Sequence, residues 1–171
     1  MLRISTIEPR PQRNERLIPP PINQRKATTF THMHKLSIET TERIKSLCAD
    51  AYQAYDEGDY RKALRLFYQG WVLLPKPQTQ FREAGWLLVG IGDSYYRLKQ
   101  YTPGCEALRS ADHCPEAKNN PFIHLRLGQC LFRIGEKRSA RSHLHKAYQL
   151  AGDSIFQTEA SCYLDSIADL T

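Results

Sequence analysis

Side chains able to do chemistry are few in this chain, and their spacing is poor. His143 and His145 stand two apart, which on a helix turns them to different faces, whereas a shared metal ion needs an i, i+4 pair. His113-Cys114 has no second pair of ligands to complete a site. Arg138 and His143, with four residues between them, fit a loose ribonuclease spacing that arises often by chance. His124 lies just before Leu125, where a structural part suits it better than a catalytic one. The patterns G-x4-G-K-[ST], H-E-x-x-H and G-x-S-x-G are absent. The five cysteines (Cys48, Cys105, Cys114, Cys130, Cys162) are odd in number and never form C-x-x-C. They read as reduced thiols of a cytosolic protein, standing in for small apolar residues. No catalytic residue, metal or cofactor is expected, and the chain is read as a non-enzyme.

The elements that must position any site are easier to see, because residues 44–75, 85–116 and 121–152 repeat one pattern. Small residues recur at Ala51, Gly92 and Gly128, and a turn follows at Gly58, Lys99 and Gly135. Further small residues come at Ala63, Gly104 and Ala140, and then at Gly70, Ala111 and Ala147. A fixed repeat of this length implies a solenoid of helical hairpins, whose units bury their apolar faces only by stacking. Ile44, Leu47, Cys48, Ala51, Tyr52 and Tyr55 follow helical spacing, and Gly58-Asp59 ends that helix. A partner helix over 60–74 stops at Pro75-Lys76-Pro77. Ala51 and Ala63 sit where the two helices cross and a larger side chain would push them apart. The second hairpin is expected over 81–99 and 102–113, and the third from 121 to about 152 with a turn at Gly135-Glu136. A last helix over 153–169, with Phe156, Ala160, Tyr163, Leu164 and Ile167 on one face, would cap the open end.

Composition allows one domain: 41% of residues are hydrophobic and 25% charged. The longest apolar run, Trp86–Ile91, is far short of the roughly 20 residues a membrane span needs. No apolar stretch follows the N-terminal arginines, so a secretory signal is not expected and the cytoplasm is the natural compartment. The net charge of +6 is unevenly placed. Residues 1–35 hold seven Lys/Arg against two Asp/Glu, whereas 36–171 hold seventeen against sixteen. Five of the ten prolines also fall in 1–35. That segment is expected to be a disordered basic tail, or an extension upstream of a true start at Met33, and the folded domain is expected over 36–171.

The repeats resemble the tetratricopeptide family over about residues 40–152. Gly58, Tyr60, Ala63, Phe67 and Pro75 fit its pattern in the first unit, with Asp50-Ala51 in place of Leu-Gly. Ile91-Gly92, Tyr95, Tyr101 and Ala111 fit in the second, with Gly104 for the usual alanine. Leu127-Gly128, Gly135, Ala140 and Ala147 fit in the third, with Lys137 where an aromatic is usual. The resemblance implies an all-α, right-handed superhelical solenoid of three hairpins plus the capping helix. The strings IGDSYYRL, NPFIHLRLGQC, AYQLAGDSIF and CYLDSI are also similar to small bacterial proteins of this repeat type. Some of those act as immunity proteins beside secreted or contact-delivered toxins.

In this family the first helix of each pair lines a concave groove. The resemblance therefore assigns partner binding to Tyr52, Tyr55 and Asp56 in the first repeat, and to Trp86, Asp93, Tyr96 and Arg97 in the second. Phe122, Gln129, Phe132 and Arg133 complete the set, and about half of the lining is expected to be exposed. Tyr, Trp and Arg dominate binding hot spots because they bury large areas at low entropic cost. The positions that grip a C-terminal carboxylate in the chaperone-binding class read Cys48, Tyr52, Gly90, Phe122 and Arg126, with only one cation among them. An apolar, aromatic-anchored protein segment fits better. The function expected is a protein-binding module, in its most concrete form an immunity or antitoxin-like protein that neutralises a bacterial toxin. An adaptor or secretion chaperone holding a partner segment in the groove is the alternative. RNA binding, or cleavage by a HEPN-like arrangement of Arg138 and His143, is the third, and the near-neutral repeats argue against nucleic acid.

Overall fold

The computed structural model describes residues 35–171 except 116 and 118, so the basic tail expected over 1–35, apart from Lys35, and the Met33 start lie outside the described residues. Among the described residues there are seven α-helices and no strand. They are α1 Ile38–Asp56, α2 Tyr60–Val72, α3 Arg82–Arg97, α4 Tyr101–Asp112, α5 Pro121–Arg133, α6 Lys137–Ala151 and the short α7 Ser161–Asp165. The first six fall where the repeat places them, within about two residues. Their ends follow from local chemistry. The Ser37 hydroxyl accepts from the Thr40 amide at 3.1 Å and starts α1, and the Asp59 carboxylate accepts from the Lys62 amide at 2.9 Å and starts α2. Asn120 caps α5 in the same way, with Pro121 in the first helical position where its missing donor costs nothing. The turn inside each hairpin needs one residue in the left-handed region. Gly58 (φ +84) and Gly135 (φ +89) supply it without strain, and Lys99 (φ +59) adopts it in the second hairpin.

Close helix crossing depends on the small residues of the repeat. A Cβ added at Gly92 would lie 2.5 Å from Leu108 Cγ, and one at Gly128 would lie 2.7 Å from Leu144 Cγ. Ala51, Ala63 and Ala140 are fully buried at the equivalent contacts. Packing then continues from hairpin to hairpin, α2 onto α3 and α4 onto α5. The first helices of successive hairpins also touch, α1 with α3 and α3 with α5, and the second helices pack on one another less. The stack therefore closes on the α1–α3–α5 side and opens on the α2–α4–α6 side. The core between the two layers runs in three successive clusters, marked by Phe67 and Leu87, by Leu108 and Leu127, and by Leu144.

The C-terminal segment corrects the expectation of one helix over 153–169. Gly152 ends α6 at φ +68, a 3-10 turn spans Asp153–Phe156, and only Ser161–Asp165 is α-helical. Of the face expected to be apolar, Phe156, Tyr163 and Ile167 are buried in one cluster with Leu125, Leu144 and Ala147, so the open end is still covered, whereas Leu164 is half-buried and Ala160 is exposed. Between them the chain leaves helical geometry and brings the Glu159 carboxylate to 3.6 Å from the Arg126 guanidinium, which is 3% exposed. A buried cation without enough carboxylate partners would cost several kcal/mol, more than a short helix gains in propensity.

A candidate peptide-binding groove

The closed side of the stack carries the inner faces of α1, α3 and α5. On α1, Tyr52 is half-buried with its ring set edge-on to Phe67 at 5.1 Å, Tyr55 is buried, and Asp56 is exposed. Arg97, exposed on α3, donates from Nε to the Tyr55 hydroxyl at 2.7 Å and lies 5.7 Å from that ring. Burial pushes the Tyr55 phenol up, Asp93 adds to this, and the Arg97 hydrogen bond partly offsets it, so the phenol stays neutral. Trp86 is half-buried at the other end of α3 with the Arg82 guanidinium 5.1 Å over its ring. The exposed guanidinium of Arg133 on α5 lies 5.4 Å from the Tyr101 ring.

At the centre, Arg126 on α5 organises a buried polar cluster. Its Nε is 2.6 Å from Asp93 Oδ1, and its Nη1 donates to Gln129 Oε1 at 2.6 Å. The guanidinium lies over Tyr96 at 4.3 Å and Phe122 at 5.1 Å. Burial acts against its charge, but Asp93 and then Glu159 more than compensate, so Arg126 holds its proton more tightly than a free arginine. The single cation at the carboxylate-gripping positions is thus neutralised from within. Tyr163 of α7 enters the same region, stacking edge-on against Phe132 at 5.4 Å and sharing a 3.0 Å hydrogen bond with the Tyr96 hydroxyl.

All eleven residues assigned to the groove lie on its three helices, but they divide by exposure. Asp56, Arg97 and Arg133 are exposed, and Tyr52, Trp86, Tyr96 and Phe132 are half-buried. Tyr55, Asp93, Phe122 and Gln129 are buried beneath that face. Sequence reasoning missed Glu159 and Tyr163, which come from outside the repeats, and missed Arg126 as the centre of the cluster. A buried arginine flanked by apolar residues in FIHLRLGQ was the available signal, since such a charge must find acids.

The histidines form a different arrangement. His124 is 1% exposed, and its Nδ1 lies 3.1 Å from His143 Nδ1 with the two rings stacked at 5.4 Å. His124 Nε2 is 3.7 Å from Asp112 Oδ1. Burial, and next the His124 ring, hold the His143 pKa below its usual value. This is a packed pair joining α5 to α6. Among the described residues no cluster of three or more His, Cys, Asp or Glu could hold a metal ion, and no helix is long and apolar enough to cross a membrane.

No family model matches the sequence, and no curated protein does. Solved structures do. The Yersinia enterocolitica type III secretion chaperone SycD in complex with a peptide of the translocator YopD is 21% identical, with a TM-score of 0.59 over 80% of this chain and 96% of that one. The first TPR of Spaghetti (RPAP3) bound to the HSP90 peptide SRMEEVD is 15% identical, with a TM-score of 0.59 over 75% of this chain and 93% of that one. PcrH from Pseudomonas aeruginosa is 17% identical, with a TM-score of 0.57 over 82% and 98%. The chain has the all-α, right-handed solenoid fold of tetratricopeptide-repeat domains.

Proposed function

We propose that this chain is a non-enzymatic adaptor that holds an extended segment of a partner protein in the α1–α3–α5 groove. One observation carries this reading: Tyr52 of α1 and Trp86 and Tyr96 of α3 stay partly exposed along the inner helices, and the Arg97 guanidinium at the end of α3 is braced by Tyr55. Aromatic anchors held rigid beside a positioned cation are what a peptide hot spot requires. Two of the similar folds were solved with a peptide bound, which supports the same use of the groove. Because Arg126 is already paired with Asp93 and Glu159, the ligand is an internal segment with apolar side chains, not a free carboxylate terminus. Secretion-chaperone activity would be one form of this function. Neutralisation of a toxin would use the same face, and co-purification of a toxin from the native host would establish it.

A selection of random peptides on the full chain tests the reading. Enriched peptides should share an aromatic or aliphatic anchor and lose roughly thirtyfold in affinity against Trp86→Ala. Equal binding to wild type, Trp86→Ala and Arg97→Ala would place recognition elsewhere.

A further inference from the structure

The near-neutral charge of the repeats conceals a division by layer. The inner helices α1, α3 and α5 together carry six Lys/Arg and six Asp/Glu, a balance of zero. The outer helices α2, α4 and α6 carry eight Lys/Arg against two Asp/Glu, a surplus of six. The segment after Ala151 carries four Asp/Glu and no Lys/Arg. Neither α2 nor α6 contains a single acid. Their cations therefore lack the i, i+4 partners that a merely solvated helix face ordinarily provides.

The positions of these charges also work against the helices that carry them. Arg61 and Lys62 open α2, and Lys137 and Arg138 open α6, at the positive end of each helix dipole where acids are favoured. Among the described residues, Arg109 pairs with Glu136 at 3.5 Å and Arg141 pairs with Asp169 at 2.6 Å. The other six outer cations (Arg61, Lys62, Arg65, Lys137, Arg138 and Lys146) form no ion pair among the described residues. Nothing in the packing of the stack uses this charge.

We infer that the outer α2–α4–α6 face is a second docking surface, and that its occupant is an acidic, Asp/Glu-rich segment of a partner protein. The chain itself shows the mode of recognition. Arg141 Nη2 donates to both carboxylate oxygens of Asp169 at 2.6 Å, so a cation of an outer helix already holds an acidic side chain. The shape of the surface favours a flexible protein segment over nucleic acid. A rigid duplex would meet an outward-curving face at few phosphates, whereas an extended peptide can follow it. A single strand would need exposed rings for base stacking. Tyr68 on α2 is the large exposed aromatic of this layer, and its hydroxyl is bound to that of Tyr95 at 3.0 Å. The inference is independent of the groove, which lies on the opposite face.

Fluorescence anisotropy with a labelled oligo-glutamate peptide and the full chain tests it. Wild type should bind with an affinity that falls steeply as salt rises from about 50 to 200 mM. The combined variant Arg61→Glu, Arg65→Glu and Arg138→Glu should weaken binding at least about tenfold, and so should Lys137→Glu with Lys146→Glu, each checked for native helix content by circular dichroism. Trp86→Ala, and a chain whose six Lys/Arg in 1–34 are replaced by Gln, should bind within about twofold of wild type. Loss confined to the tail variant, or no effect of either outer-face variant, overturns the inference. An oligo-uridine RNA of equal charge that binds more tightly through the same residues would also overturn it, making the occupant a nucleic acid.

Discussion

Tyr96 on α3 and Tyr163 on α7, 67 positions apart in the sequence, meet hydroxyl to hydroxyl at 3.0 Å. The contact fastens the end of the chain to the inner face of the middle hairpin, and Phe132 completes the cluster from α5. Tyr163 is only 3% exposed, so its ring is a core element and its hydroxyl a tether. Tyr163→Ala should destabilise the fold by about 3–5 kcal/mol, as deletion of a buried aromatic does. Tyr163→Phe should cost only about 0.5–1.5 kcal/mol, the worth of one hydrogen bond. Urea unfolding followed by circular dichroism measures both.

The helix crossings are sensitive to a single methyl group. Gly128→Leu and Ala140→Leu should each cost about 1–3 kcal/mol or more, because Gly128 already faces Leu144 with no room for a Cβ and Ala140 is fully buried. An exposed change such as Ser139→Ala should stay within about 0.5 kcal/mol. Thermal melts that do not separate these variants would show the crossings are looser than described.

Binding and stability should part company within the groove. Trp86→Ala removes a half-exposed ring and should weaken ligand binding by about 2 kcal/mol while the fold persists. Tyr96→Ala and Phe132→Ala should lower stability as well, since both rings support Tyr163. Parallel titrations and melts of the three variants read out the difference.

The histidine pair should leave a mark on the pH dependence of stability. His143 has a folded-state pKa below the usual 6.5, first through burial and then through His124, with Lys146 and Arg109 acting the same way and Asp112 against. In the window below 6.5 the unfolded chain binds more protons than the folded one, so stability falls as pH drops through it. Above 6.5 the contribution is fully present. His143→Gln should flatten that part of the profile, and an unchanged slope by urea titration across pH 5–8 would remove the pair from the account.

The three hairpins were legible because their signal is local and repeated. Lys99 shows how far the register carries. The residue type alone gives no turn, yet its place between Gly58 and Gly135 in the pattern puts it at the left-handed position, where φ is +59. The groove was legible as a face and less so as a surface. Helical period fixes the direction in which Asp93 and Gln129 point, but their burial depends on Arg126 and on a segment from beyond the third repeat. The last helix failed for the same reason. Phe156, Tyr163 and Ile167 keep a helical spacing, but the chain between them leaves helical geometry where Glu159 approaches the buried charge of Arg126.

In a plain stack of hairpins each unit senses only its neighbours, and unfolding can begin at an end and run inward. The C-terminal segment changes that rule here. Glu159 reaches α5 and Tyr163 reaches α3, so the tail passes over the third hairpin and bonds to the second. Fraying of the last unit must therefore break contacts with the middle one as well. That coupling should make the array unfold more nearly as one cooperative body, and a chain shortened before Glu159 should unfold in steps.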